Sequence, residues 1–196
     1  LAGHVRVGSG DGARRDRRAG EPVAVDTAIK VDAVQRYVSR GGEKLAGALD
    51  AFDVDPSERV CLDVGASTGG FSDCLLQRGA TRVYAIDVGR GQLAEALRQD
   101  DRVVSMERTH AARLDPADAD PLTLPEAASL AVADVSFISL TRLLRGIAAH
   151  VSPGGDILPM VKPQLELSPR EVPKGVVRDP AARAEAVSRV RKHAQD

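Results

Sequence analysis

From residue 59 onward the chain alternates short apolar runs with helical segments, and this alternation leaves few folds open to it. Strands are expected over 59–64, 82–87, 103–106, 128–134 and 155–161, with helices over 69–78, 92–98, 141–150 and 181–194. Strand–helix repetition of this kind implies an α/β fold: a Rossmann-like, mostly parallel sheet with helices on both faces. Pro159 is awkward inside the fifth strand, because proline cannot donate to the ladder of a central position. Ahead of the first strand, residues 43–52 carry Leu45, Ala48, Leu49 and Phe52 at the i, i+3, i+4, i+7 spacing of an amphipathic helix.

A length of 196 residues has room for one medium domain and a small appendage. Hydrophobic residues make up 43% but aromatics only 3%, with no Trp, so the core must be built from Val, Leu, Ile and Ala. Cys61 and Cys74 are too few for a disulfide framework and suit small buried positions. No signal peptide is evident, and no apolar run approaches the ~20 residues that span a bilayer, so a cytoplasmic protein without a membrane partner is expected. No metal site is expected.

Residues 1–32 have a different character. Strand candidates at 1–7, 22–25 and 29–31 flank a Gly-rich loop that carries Arg14, Arg15, Arg17 and Arg18. A piece this small cannot bury the area of a full domain, and it reads as the tail of one. The chain also begins with Leu, as a fragment would. Residues 33–42, with Arg36 and Arg40, are expected to be a linker, and 43–196 the main domain. A net charge of −1 argues against indiscriminate binding along nucleic acid but leaves room for a local basic face.

Ligands of doubly wound folds bind beyond the carboxyl ends of the strands, and three aspartates sit there: Asp63, Asp87 and Asp134. Between Asp63 and the following helix runs Gly65-Ala-Ser67-Thr68-Gly69-Gly70, a turn that brings bare backbone close to a ligand. Asp87, about 20 residues on, is placed to accept hydrogen bonds from ribose hydroxyls. A dinucleotide loop carries a middle glycine for the pyrophosphate, and here Ser67 takes that place; Asp63 would repel the diphosphate. A cationic sulfonium with an amino-acid tail suits the loop better, which selects S-adenosylmethionine over NAD and disfavours an oxidoreductase.

There are five lysines against 22 arginines, and Lys44 and Lys162 occupy chemically prominent places: the start of the first helix and the end of the fifth strand. A guanidinium keeps its proton in proteins whereas an ammonium can give it up, so lysine at these points suggests proton transfer.

Tyr37-Val-Ser-Arg-Gly-Gly-Glu-Lys-Leu45, Leu62-Asp-Val-Gly-Ala-Ser-Thr-Gly-Gly-Phe-Ser-Asp73, Ala85-Ile-Asp-Val-Gly-Arg-Gly-Gln-Leu93, Ala133-Asp-Val-Ser-Phe-Ile-Ser-Leu140, Val161-Lys-Pro-Gln164 and Lys174-Gly-Val-Val-Arg-Asp179 occur in order. Together they resemble the FtsJ-type ribose 2′-O-methyltransferases, in particular the TlyA/hemolysin A branch of bacterial rRNA methyltransferases. The resemblance implies a Lys-Asp-Lys-Glu catalytic tetrad, whose first three members fall on Lys44, Asp134 and Lys162. Within that set Lys162 is expected to act as base, Asp134 to orient it, and Lys44 to serve substrate or electrostatic positioning. S-adenosylmethionine is expected to be held by Asp63, Gly65, Ser67, Thr68, Gly69 and Asp87, and the resemblance implies ribosomal RNA or ribosomal subunits as partner. Residues 1–32 resemble the last part of an alpha-L RNA-binding domain, so Arg14, Arg15, Arg17, Arg18, Arg36 and Arg40 become candidate phosphate contacts. The tetrad's Glu falls beyond the last residue, which implies a chain truncated at both ends. Two further readings follow: an RNA-binding protein inactive as a methyltransferase, and, from the branch's older name, a membrane-active hemolysin.

Overall fold

The computed structural model describes residues 5–8, 22–31, 35–172 and 175–195, so the arginines at 14, 15, 17 and 18 lie outside the described residues. Two compact units divide between Arg36 and Tyr37. In the smaller, β1 (Val5–Val7) and β2 (Ile29–Val31) pair antiparallel with Val7 opposite Ile29. The strand expected at 22–25 is absent. Val25 begins a turn closed by the Thr27 amide on the Ala24 carbonyl at 3.0 Å, and its side chain is fully exposed.

The larger unit starts earlier than expected. Tyr37 is buried and α1 spans Arg40–Phe52, so residues 37–42 belong to the folded body rather than to a linker. Ser39 caps α1, accepting the Gly41 amide at 3.3 Å. Its buried stripe is Gly42, Leu45, Ala46 and Leu49, while Phe52, expected on that stripe, is 71% exposed.

The sheet contains β3 (Val60–Val64), β4 (Arg82–Ile86), β5 (Val103–Met106), β6 (Ala128–Ala133) and β7 (Val151–Pro159), in the order β5-β4-β3-β6-β7, all parallel. Interior parallel strands are covered on both faces and so are apolar throughout. In β3 only Asp63 interrupts that rule. Alternation sends Cys61, Val83, Leu130 and Val132 into one core with α1 and α2 (Gly70–Gln77). Leu62, Val64, Tyr84, Ile86 and Ala131 enter a second core with α4 (Leu144–Ala148) and Val190 of α6 (Pro180–His193). Burial pushes the Cys61 thiol up to about 12, and Cys74 is equally sealed, so both act as small hydrophobes.

Helix boundaries moved where turn chemistry intervened. The segment expected at 92–98 shortens to α3 (Glu95–Arg98), and that expected at 141–150 splits into a 3-10 turn (Leu140–Arg142) and α4. Pro159 is accommodated because it is the last residue of an edge strand, opposite Ala133.

Candidate active site

The chain's first strand in the sheet, β3, lies between β4 and β6, so successive connections leave it in opposite directions and a crevice opens above the β3/β6 boundary. The Asp134 amide donates to the Val64 carbonyl at 3.0 Å, and the Gly65 and Ala66 amides both donate to Ile86 at 2.8 and 3.1 Å. Gly65 has φ +86°, and a Cβ there would stand 2.9 Å from the Asp134 carbonyl oxygen, so only bare backbone fits.

Two helix starts converge on this loop. A Cβ at Gly70 would fall 2.2 Å from Ser39 Oγ and 2.9 Å from the Gly42 nitrogen. That close approach sets the beginning of α1 against the beginning of α2 and carries Arg40 and Lys44 to the crevice.

Asp87 braces the loop. Its Oδ2 accepts the Ser67 amide at 2.8 Å and its Oδ1 the Gly89 amide at 2.6 Å, which leaves lone pairs for further donors. Ser67 itself has φ +50°.

Two adjoining cavities share Gly65, Ser67, Asp134 and Ser136 as a common wall. The smaller, ≈ 290 Å³, adds Asp87, Val88, Gln92, Thr109 and His110. The larger, ≈ 620 Å³, adds Ser39, Arg40, Lys44, Thr68 and Lys162. A nucleoside-sized space therefore opens beside a cationic one through a polar wall. A third, ≈ 640 Å³ groove between α1, β7 and α6 is mainly apolar, with Lys44, Asp156 and Arg191 as its charged lining.

Lys162 and Asp134 meet at the junction of the two cavities. Lys162 Nζ lies 2.6 Å from Asp134 Oδ1 and donates to Ser136 Oγ at 3.0 Å. The approach to Asp134 is a close charge pair rather than an aligned hydrogen bond: Oδ1 is buried and accepts no aligned donor. Both side chains are about four-fifths buried, with 21% and 23% exposed.

Among the expected cofactor residues, Gly65, Ser67 and Thr68 line the larger cavity, and Asp87 the smaller. Gly69 and Asp63 line neither; Gly69 precedes α2 as its cap. Asp63 is wholly buried beneath the loop, where its Oδ2 accepts the Ser72 hydroxyl at 2.6 Å and Oδ1 has no hydrogen-bond partner among the described residues. Burial pushes its carboxyl up to about 7, against the Ser72 hydrogen bonds and helped by the charges of Asp134 and Asp87.

A raised carboxyl means that the folded chain holds a proton the unfolded chain has released. Its stabilising contribution is complete below about pH 4 and is lost as pH rises through about 7. Asn at position 63 still accepts from Ser72 and carries no charge. Asp63→Asn is therefore expected to be more stable than the native chain at pH 8, by at most about 4 kcal/mol, with the gap closing by pH 4–5. Urea unfolding at pH 5 and pH 8 checks this, and an equal gap at both would defeat the burial account.

Among the crevice residues that sequence reasoning did not single out, Gln92 lines the smaller cavity, and Ser136 and Phe137 follow Asp134. Phe137 is 98% exposed with φ +67°, an unusual backbone for a bulky side chain. Its position two residues before Ser139, in a strand-end loop, was the available signal.

A family model described as FtsJ-like methyltransferase matches residues 37–196. The 16S/23S rRNA (cytidine-2'-O)-methyltransferase TlyA of Mycobacterium tuberculosis is 46% identical over 198 residues, covering 100% of this chain and 70% of that protein. Hemolysin A of Brachyspira hyodysenteriae is 43% identical over 145 residues, which is 74% of this chain and 59% of that protein. A solved Streptococcus thermophilus structure whose description carries the word hemolysin has 41% identity and a TM-score of 0.76 over 86% of this chain and 60% of its own. The chain thus spans only part of each relative's length. A match across the whole larger unit, on a sheet whose switch point forms this crevice, makes the chain a member of the FtsJ-like methyltransferase family.

Proposed function

We propose that the chain transfers a methyl group from S-adenosylmethionine to a ribose 2′-hydroxyl of ribosomal RNA. The observation that carries this reading is the Lys162–Asp134–Ser136 cluster at the wall between a nucleoside-sized cavity and a cationic one. S-adenosylmethionine fits the residues present. Gly65 offers bare backbone, and Asp87 keeps acceptor capacity for ribose hydroxyls. When bound, the cofactor supplies a methyl group activated by a positively charged sulfur.

The chain's own residues do the rest. Arg40 and Lys44 draw RNA phosphate to the larger cavity, and the arginines at 14, 15, 17, 18 and 36 are further phosphate contacts. Lys162 is the base that takes the 2′-hydroxyl proton, and Asp134 holds the amine in place and stabilises the ammonium that forms. Positioning supplies much of the rate enhancement. Phe137 offers one exposed ring face to a base turned out of its stack. Residues 1–32 serve as the last part of an alpha-L RNA-binding domain. Action on ribosomal subunits places the protein in the cytoplasm. Pore formation is the poorer reading: no helix among the described residues is long and apolar enough to cross a membrane.

Incubation with S-adenosylmethionine carrying a labelled methyl group and intact ribosomal subunits tests the proposal. Label is expected on RNA at positions that resist alkaline cleavage, the mark of a 2′-O-methyl group. Label on bases, or none on RNA, would overturn it.

A further inference from the structure

The loops that carry Asp134 and Lys162 meet a second time, through a residue with no role in the proposed proton transfer. Glu166 is the last residue of α5 (Pro163–Glu166), a single helical turn whose N-cap is Lys162. Its carboxylate reaches back across 26 residues: Oε2 accepts the Ser139 hydroxyl at 2.5 Å, and Oε1 accepts the Leu140 amide at 3.0 Å. Ser139 in turn caps the 3-10 turn that follows it, accepting the Thr141 amide at 3.2 Å.

These bonds complete a ring. It runs along the chain from Asp134 to Ser139, across to Glu166, back along α5 to Lys162, and across the 2.6 Å ion pair to Asp134. A partly exposed Lys–Asp pair is a weak constraint on its own, since a lysine gives up much rotamer freedom to stay in one place. Two charge-assisted hydrogen bonds to a hydroxyl and a backbone amide are roughly twice as strong as neutral ones and have fixed direction. The stronger contact sits at one end of a rigid turn, and the reactive amine at the other.

We infer that Glu166 is a positioning residue: it clamps the Asp134–Ser139 loop onto the Lys162 turn and so holds Lys162 Nζ between Asp134 and Ser136. Its catalytic consequence rests on the reading of Lys162 as the base. The clamp itself does not, and it can be measured without turnover.

The test is the acetylation rate of Lys162 in the full chain by N-hydroxysuccinimidyl acetate, followed by mass spectrometry. Exposed Lys192 on α6 serves as internal standard. Glu166→Ala is expected to raise the Lys162 rate relative to Lys192 by about threefold, as the ion pair loosens. Glu166→Gln, which keeps the length and one oxygen for Leu140, is expected to lie between and covers the case in which the Ala variant fails to fold. Relative rates equal to the native value in the folded variants overturn the clamp. In methyl transfer, Glu166→Ala is expected to lower kcat by about tenfold with the cofactor KM unchanged, and Gln to restore part of it. Faster labelling with unchanged kcat overturns the positioning role. A native protein that transfers no methyl group defeats the proposed reaction instead, and the lysine measurement still decides the clamp.

Discussion

Replacing Lys162 by Met is expected to slow methyl transfer by about 10²–10⁴-fold, the usual contribution of a well-placed general base. Met preserves the length and apolar stem of the side chain and removes only the amine. Cofactor binding should survive, because Lys162 lines the larger cavity and not the smaller one. Titration with S-adenosylhomocysteine is expected to give a dissociation constant within about twofold of native. Lys162→Arg separates proton transfer from charge. Arg keeps the positive partner for Asp134 but holds its proton, so it should be as slow as Met. An Arg variant with full rate would mean that Lys162 acts only by its charge. Lys162→Met also leaves the largely buried Asp134 carboxylate without its cation, at a cost of about 1–3 kcal/mol that Lys162→Arg avoids.

The second large effect belongs to Gly65→Ala, and it acts on stability. The native φ of +86° already disfavours any side chain, and the added Cβ would sit 2.9 Å from the Asp134 carbonyl oxygen and 3.1 Å from its carbon. Both are backbone atoms of the neighbouring strand end, with no flexible tip to swing aside. Left-handed strain and overpacking together are expected to cost about 2–5 kcal/mol, read as a lower urea midpoint. Gly47→Ala is the control: it lies on exposed helix, nothing stands within 4 Å of the new Cβ, and a gain of about 0.5–1 kcal/mol is expected. The loss at position 65 should come with weaker cofactor binding, because Gly65 belongs to the wall of both cavities.

The alternating architecture was legible because its signal is local. Interior strands such as β3 and β6 are apolar on both faces, and the aspartates that end strands stand out against them. The Lys44, Asp134, Lys162 and Gly65 positions could be placed at one end of the sheet by topology alone. Tertiary facts were not legible. Phe52 continues the apolar spacing of α1, yet nothing among the described residues covers it, and it lines the groove beside β7. Asp63 shares its face with Cys61, so alternation places it against α2; only the fold shows that the loop seals it from both cavities. Glu166 lay close to Lys162 in sequence, but its partners are 26 and 27 residues away, and no local pattern announces such a bond. The helix expected over 141–150 assumed one continuous spiral. Ser139 and Thr141 instead favour a tight capped turn before α4 begins.

Phe137 and Ser67 have a thermodynamic meaning beyond their placement. Each holds a non-glycine residue in the left-handed region, at φ +67° and +50°, and each sits at the ligand end of the sheet. Conformations of this kind cost on the order of 1 kcal/mol or more apiece and persist only where the surroundings impose them. The margin that tolerates them is supplied at the other end of the molecule's division of labour, by strands buried on both sides. The crevice is thus held taut by a frame that does no chemistry, and stiffness at the reacting end is drawn from the sheet's reserve of stability.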